Sequence, residues 1–172
     1  MTTPQSEQEY EELIIALALL YYFALYQGAN GGAEQVGETI EIDEGLMLYA
    51  FSYVDELMRS VNETTINKAS KILSEWDGVD RDELNARLET VFSDARAQSI
   101  AITETTRAYQ LGSIAAWAAL GLALEGVQWH TQQDDRVCPI CSPRNGQVFE
   151  VGVDNPPAHP GCRCWTSPAI IV

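Results

Sequence analysis

Residues Leu13–Tyr26 read LIIALALLYYFALY. No charge interrupts these 14 positions, and a helix of this composition is apolar all round. Such a helix has to be covered on most sides, so it predicts either the centre of a helical bundle or a surface inserted between subunits. At 1.5 Å per residue the run reaches about 21 Å, short of the roughly 30 Å hydrocarbon core of a bilayer. A membrane span is therefore not expected.

The flanks extend the reading. Glu7, Glu9, Glu11 and Glu12 fall in the opening turns, where negative charge suits the positive end of the helix dipole. A helix is predicted from Gln5 to Gln27. Gly28, Gly31 and Gly32 in QGANGG are expected to end it and begin a flexible link. Beyond the polar stretch ETIEIDEG, helices fit Leu46–Val61, Thr65–Trp76, Arg81–Phe92 and Ala95–Leu120. Asp80 with Glu83 three residues on resembles a capping box for the third of these. The Ala and Gly content of the last permits close helix contacts. Short connections predict antiparallel packing.

The chain has 172 residues, 46% of them apolar and 20% charged, enough for one domain with a small appendage. Its 25 acidic and 10 basic residues leave a net charge of -15. That argues against a general nucleic-acid binder, whose affinity comes mostly from cations neutralising phosphates, and against docking on an anionic membrane surface. Residues 1–125 carry 21 acidic and 7 basic side chains, and the first basic one is Arg59. No positive leader region precedes the apolar run, so an intracellular protein is expected.

At Gly126 the character changes. Val127, Trp129 and Thr131 alternate with polar positions, which predicts a short strand. QVFEV, after the Asn145-Gly146 turn, predicts its hairpin partner. The rest is rich in Pro, Gly and Cys. Some 45 residues of this kind bury too little apolar surface to hold themselves in shape. All four cysteines lie here, as Cys138–x2–Cys141 and Cys162–x–Cys164, with His159 between the pairs. This spacing fits tetrahedral Zn2+, held either by His159 with three cysteines or by four cysteines with His159 just outside. Disulfides lack a secretory context. CPIC lacks the βαβ unit of a redox site. The zinc deaminase pattern needs H-x-E followed by P-C-x-x-C, whereas His130 precedes Thr131 and Gln132 and Pro139 lies inside the pair. With enough ligands to close the shell, the zinc is expected to be structural. His130 is expected to pack or face solvent, and Asp134 and Asp135 to form turns or hydrogen bonds around the knuckle.

The expected architecture is thus mainly α, with a helical bundle over residues 1–125. A small irregular zinc-stapled module with a short β-hairpin follows over residues 126–172, packed on the bundle.

The string WHTQQDDRVCPICSPRNGQVF, followed by PPAHPGCRC, resembles the C-terminal signature of phage head morphogenesis proteins similar to protein F of phage Mu, the MuF domain family. Trp129, Thr131, Asp135, Arg136, Val137, Cys138, Cys141, Gly146, Pro156, Pro157, His159, Pro160, Cys162, Arg163 and Cys164 carry the match. The preceding helix, AQSIAITETTRAYQLGSIAAW, adds Thr103, Glu104, Arg107 and Ala108. Together these span about residues 90–168. The resemblance implies a minor capsid protein of a tailed phage or prophage. It implies location in the virion, at the head interior or portal vertex, after a stage in the bacterial host cytoplasm. Its partners would be portal or capsid subunits, and its work head assembly, genome packaging or delivery; it implies no established enzymatic activity, and none is expected. Some members carry a C-terminal toxin domain, and none is expected here. Glu104, Arg107, Trp129, Asp135, Arg136 and Arg163 are the residues expected to support the metal centre or dock the module. Leu13–Tyr26 is the expected contact surface, for self-association or for a partner.

Two other function classes fit some of the same residues. A zinc-stapled binding module for DNA or protein predicts a basic, aromatic face from Arg136, Arg144 and Arg163 with Trp129 and Trp165. A metal-dependent enzyme predicts a polar pocket with an open metal position.

Overall fold

A computed structural model describes residues 4–170. Four α-helices come first: α1 (Pro4–Glu34), α2 (Gly45–Glu75), α3 (Arg81–Val91) and α4 (Asp94–Ala119). A three-stranded sheet follows, built from β1 (Leu124–His130), β2 (Val148–Phe149) and β3 (Trp165–Ile170), with one 3-10 turn at Ser142–Arg144. The fold is mainly α with a small antiparallel sheet.

Helix α1 does not stop at QGANGG. It runs through all three glycines because α4 crosses there. A Cβ on Gly28 would overlap the Tyr109 carbonyl, one on Gly112 would overlap the Leu25 carbonyl, and one on Gly32 would sit 2.8 Å from Ser113 Cα. The Ser113 hydroxyl donates to the Gly28 carbonyl and the Trp117 indole N–H to the Gly32 carbonyl, both at 2.9 Å. Each helical glycine costs up to about 1 kcal/mol in propensity; the close approach and these two hydrogen bonds offset it. The true stop is Gly37, in the left-handed region at φ 76°. There the Glu38 N–H reaches the Ala33 carbonyl and the Gly37 N–H the Glu34 carbonyl, a Schellman ending.

Two further expectations are corrected. The helices expected over 46–61 and 65–76 are one helix, α2. The polar stretch between them holds no Gly or Pro to break it, and the Thr65 hydroxyl bonds back to the Val61 carbonyl within the helix. The bundle is also not antiparallel throughout. Ser113 meets Gly28 and Trp117 meets Gly32, so α1 and α4 run parallel. Tyr53 of α2 meets Glu104, while Thr65 meets Arg96, so α2 opposes α4. Helix α3 allows this by folding back along α2, tied by Arg87–Glu75 at 2.6 Å, so that α4 starts at the same end as α1. Asp80 caps α3 as expected, accepting from the N–H groups of Asp82 and Glu83.

The helical core is Ala18, Tyr21, Leu25, Ala50, Val54 and Ala108. Residues Glu7–Glu34 are long and apolar enough to cross a membrane by length and composition. Only 28% of their most apolar stretch is buried within the protein: Ala18, Tyr21, Leu25, Ala29 and Ala33 face inward, while Leu13, Ile15, Leu19, Leu20 and Phe23 are exposed.

In the sheet β1 is central, with order β2-β1-β3. The hairpin pairs Val127 with Phe149 and Gln128 with Val148. Strand β3 has no counterpart in the sequence reading. Its Pro168 reads as a breaker, yet β3 is an edge strand, where a missing N–H is tolerated. Three bonds seat this end of the chain on α4. Gln110 donates its side-chain amide to the Thr166 hydroxyl. The Thr106 hydroxyl donates to the Cys162 carbonyl, and the Gly161 N–H to the Thr103 hydroxyl, both at 2.8 Å.

Candidate metal centre

Two tight turns and a strand bring the five donors together. After β1 the chain turns at Cys138–Cys141, where the Cys141 and Ser142 N–H groups bond the Cys138 carbonyl at 3.1 and 3.0 Å. A second turn, with Gly161 at φ 76° and the Cys162 N–H on the His159 carbonyl, brings His159 beside Cys162. Trp129 of β1 is fully buried and forms the floor, clustered with Cys141, Cys162 and Cys164.

His159 Nε2 lies 3.0 Å from Cys138 Sγ and 3.2 Å from Cys141 Sγ. Cys141 and Cys162 sulfurs are 3.8 Å apart. Two trios, Cys138–Cys141–His159 and Cys141–Cys162–Cys164, share Cys141 and could hold a metal ion. All four cysteines are free thiols.

The donors also carry suitable electronic states. His159 Nδ1 lies 2.8 Å from the Pro160 carbonyl. A carbonyl only accepts, so Nδ1 carries the proton and Nε2 offers its lone pair to the cluster. Desolvation opposes the Cys138 thiolate, but the N–H groups of Cys141 and Ile140 outweigh it and hold this thiol below its ordinary pKa. Burial pushes the Cys141 thiol far up, helped by Cys164 and Cys162. Burial raises Cys164 too, with Cys162 adding to it, and the Cys141 thiol and the nearby Trp129 indole pull the other way. Packed thiols of this kind stay neutral on their own and ionise beside a cation. Tetrahedral Zn–S bonds of about 2.3 Å imply sulfurs roughly 3.8 Å apart, the spacing of Cys141 and Cys162. The residues fit a soft divalent ion.

The hydrogen bonding expected of Asp134 and Asp135 falls to the first of them. Asp134, not Asp135, engages the loop: its carboxylate takes a bidentate pair from Arg163 at 2.7 and 2.8 Å. The Arg163 guanidinium holds the Asp134 carboxyl down at about 2. Arg163 sits between Cys162 and Cys164, so this pair anchors the ligand loop to the segment before the knuckle. Asp135 is exposed, and Arg136 meets Asp134 through its backbone N–H at 3.1 Å, its guanidinium lying 3.7 Å away. Glu104 and Arg107 do pair, at 3.1 Å. Glu104 also accepts from the Tyr53 hydroxyl at 2.7 Å, so it faces α2. The end of the chain instead rests on Thr103, Thr106 and Gln110; the sequence reading holds Thr103 only as part of the family match and does not single out the other two. Their spacing of three and four residues is a polar helical stripe, and that period was the available signal.

His130 lies outside both trios. It stacks on Trp165 at 4.1 Å, its Nε2 lies 2.8 Å from the Ser167 hydroxyl oxygen, and burial lowers its pKa. Of the basic, aromatic face expected of a DNA-binding module, Arg136 and Trp165 are exposed and the other three members are engaged within the protein. Trp129 is buried, Arg163 is held by Asp134, and Arg144 lies 5.1 Å over the Trp129 ring and 3.4 Å from Asp154.

Fold and site together define a mainly α protein whose small terminal sheet surrounds a thiol–imidazole cluster able to hold a metal ion. A family model described as Phage Mu protein F like protein matches residues 55–167, most of the chain. The chain belongs to that family, and membership suggests a role in phage head morphogenesis. The match starts at Asp55 inside α2, well before the motif-based start near residue 90, and leaves α1 outside. No curated protein and no solved structure matches the chain.

Proposed function

We propose that this protein is a minor capsid or head morphogenesis protein of a tailed phage or prophage. It acts in the virion at the portal or inner capsid, as a structural component rather than an enzyme. The observation that carries this is the family match over residues 55–167. In this reading a helical bundle over residues 1–125 carries a metal-stapled module over residues 126–172. One structural Zn2+ is held by four of the five donors Cys138, Cys141, His159, Cys162 and Cys164, which the two overlapping trios bring together. Four protein ligands leave no open position for water, which favours scaffolding over catalysis.

Incorporation into particles tests the reading. Deleting residues 1–27 would remove Ala18, Tyr21 and Leu25 from the core, so point variants are needed. His159→Ala is expected to lose zinc and to leave purified heads depleted of the protein, measured by metal analysis and immunoblot. Heads that contain the protein at undiminished copy number in a zinc-free variant would refute the structural role of the ion. Particles that never contain it would refute the assembly role.

A further inference from the structure

An apolar groove opens between α2 and α4 along α1. Leu17 forms its floor and Leu20 its open edge, with Leu57 and Met58 one wall and Ile100 and Ala101 the other. Its volume is about 330 Å³. The Tyr53–Glu104 and Thr65–Arg96 hydrogen bonds bridge the two walls at either end. Those bridges are 8 residues apart on α4, about 12 Å of helix. The groove continues outward: Leu20 is 67% exposed, and Leu13, Ala16 and Phe23 follow it on α1 at helical spacing. A small apolar molecule would fill the gap and leave this strip bare. A helix would cover both, its bulky side chains entering the gap and its flank lying on the strip.

Charge selects the kind of helix. On α1, Glu9 and Glu12 prolong the Leu13–Ala16–Leu20–Phe23 strip at helical spacing, and that helix carries no Lys or Arg. Beside the walls, Arg59 is already paired with Asp55 and Arg107 with Glu104. A second copy of this chain would bring the same carboxylates and the same paired cations, whereas an occupant with Lys or Arg along its rim meets Glu9 and Glu12. We propose that this groove docks an amphipathic helix of a partner protein, apolar on one face and basic along both edges. The inference rests on the proposed assembly role and names the partner chemistry for it.

The test uses the purified full chain and a fluorescently labelled helix of Leu and Lys, with all leucines on one face. Anisotropy should show saturable binding that weakens with salt. Leu20→Glu adds a charge at the mouth and Ala101→Phe plugs the gap; each should weaken binding by about tenfold or more. Leu48→Glu, on an exposed part of α2 outside the groove, should leave it unchanged. A peptide of the same composition in scrambled order should bind at least as weakly as the variants leave the ordered one. Equal binding of both peptides, or indifference to Leu20→Glu and Ala101→Phe, would overturn the proposal. So would a concentration-dependent dimer in sedimentation that Leu20→Glu dissolves, which would assign the groove to a second copy. Particle incorporation is read separately, so groove-dependent binding by a protein absent from heads would sink the assembly reading and keep the groove.

Discussion

At the scale of single residues, the centre depends on how each donor's protonation is set by its neighbours. The Pro160 carbonyl fixes the His159 tautomer, whereas His130, equally an imidazole near the sheet, stacks on Trp165 outside the cluster. His159→Ala is therefore expected to weaken metal binding by more than the roughly 10- to 100-fold of an outer partner's loss. His130→Ala should leave it unchanged, and competition with a chromophoric chelator measures both. Asp134 makes a second prediction. Its folded pKa is depressed, so the stability it contributes is present above the ordinary carboxylate range and is lost as pH falls toward about 2. Thermal melts stepped down from pH 5 (roughly an ordinary carboxylate's upper limit) should show the wild type converging on Asp134→Asn. Parallel curves across the whole range would mean that Arg163 gains nothing from the pair.

At the scale of elements, the α1–α4 crossing is set by absent side chains. Gly→Ala in a helix ordinarily stabilises by about 1 kcal/mol. Gly112→Ala should instead destabilise by about 1–3 kcal/mol, because the new methyl overlaps the Leu25 carbonyl and forces the helices apart. Urea denaturation decides the sign. The same crossing explains why QGANGG misleads when read alone. Helix-ending and helix-packing glycines are identical in sequence, and only the approach of α4, distant along the chain, distinguishes them. Gly37 meets the local criterion for a stop, a positive φ with the paired closing bonds. Strand β3 was hidden for a similar reason: Pro168 is tolerated only because β1 lies on one side of it and no strand on the other.

At the scale of the whole molecule, helices and metal-type centre hold together by different means. The helical part has its own core in Ala18, Tyr21, Leu25, Ala50, Val54 and Ala108. The terminal part clusters Trp129 with three cysteines, with Val137, Cys138 and Phe149 packed against them. Removing the ion with a chelator should expose Trp129 and red-shift its fluorescence while the far-UV helical signal persists. Simultaneous loss of both would show that the two parts unfold as one unit, through the Thr103, Thr106 and Gln110 contacts.

The sequence by itself determined the helical class, the Asp80 cap, the β1–β2 hairpin and the five donors, because each rests on local spacing or composition. It also carried the family, whose signature is a linear order of residues around those donors. Only the tertiary structure decided that α1 and α4 run parallel, that Asp134 rather than Asp135 holds Arg163, and that Thr103, Thr106 and Gln110 seat the sheet. These depend on which surfaces meet across tens of residues. A side chain's neighbours at that range follow from chain topology and close packing, which no short stretch of sequence contains.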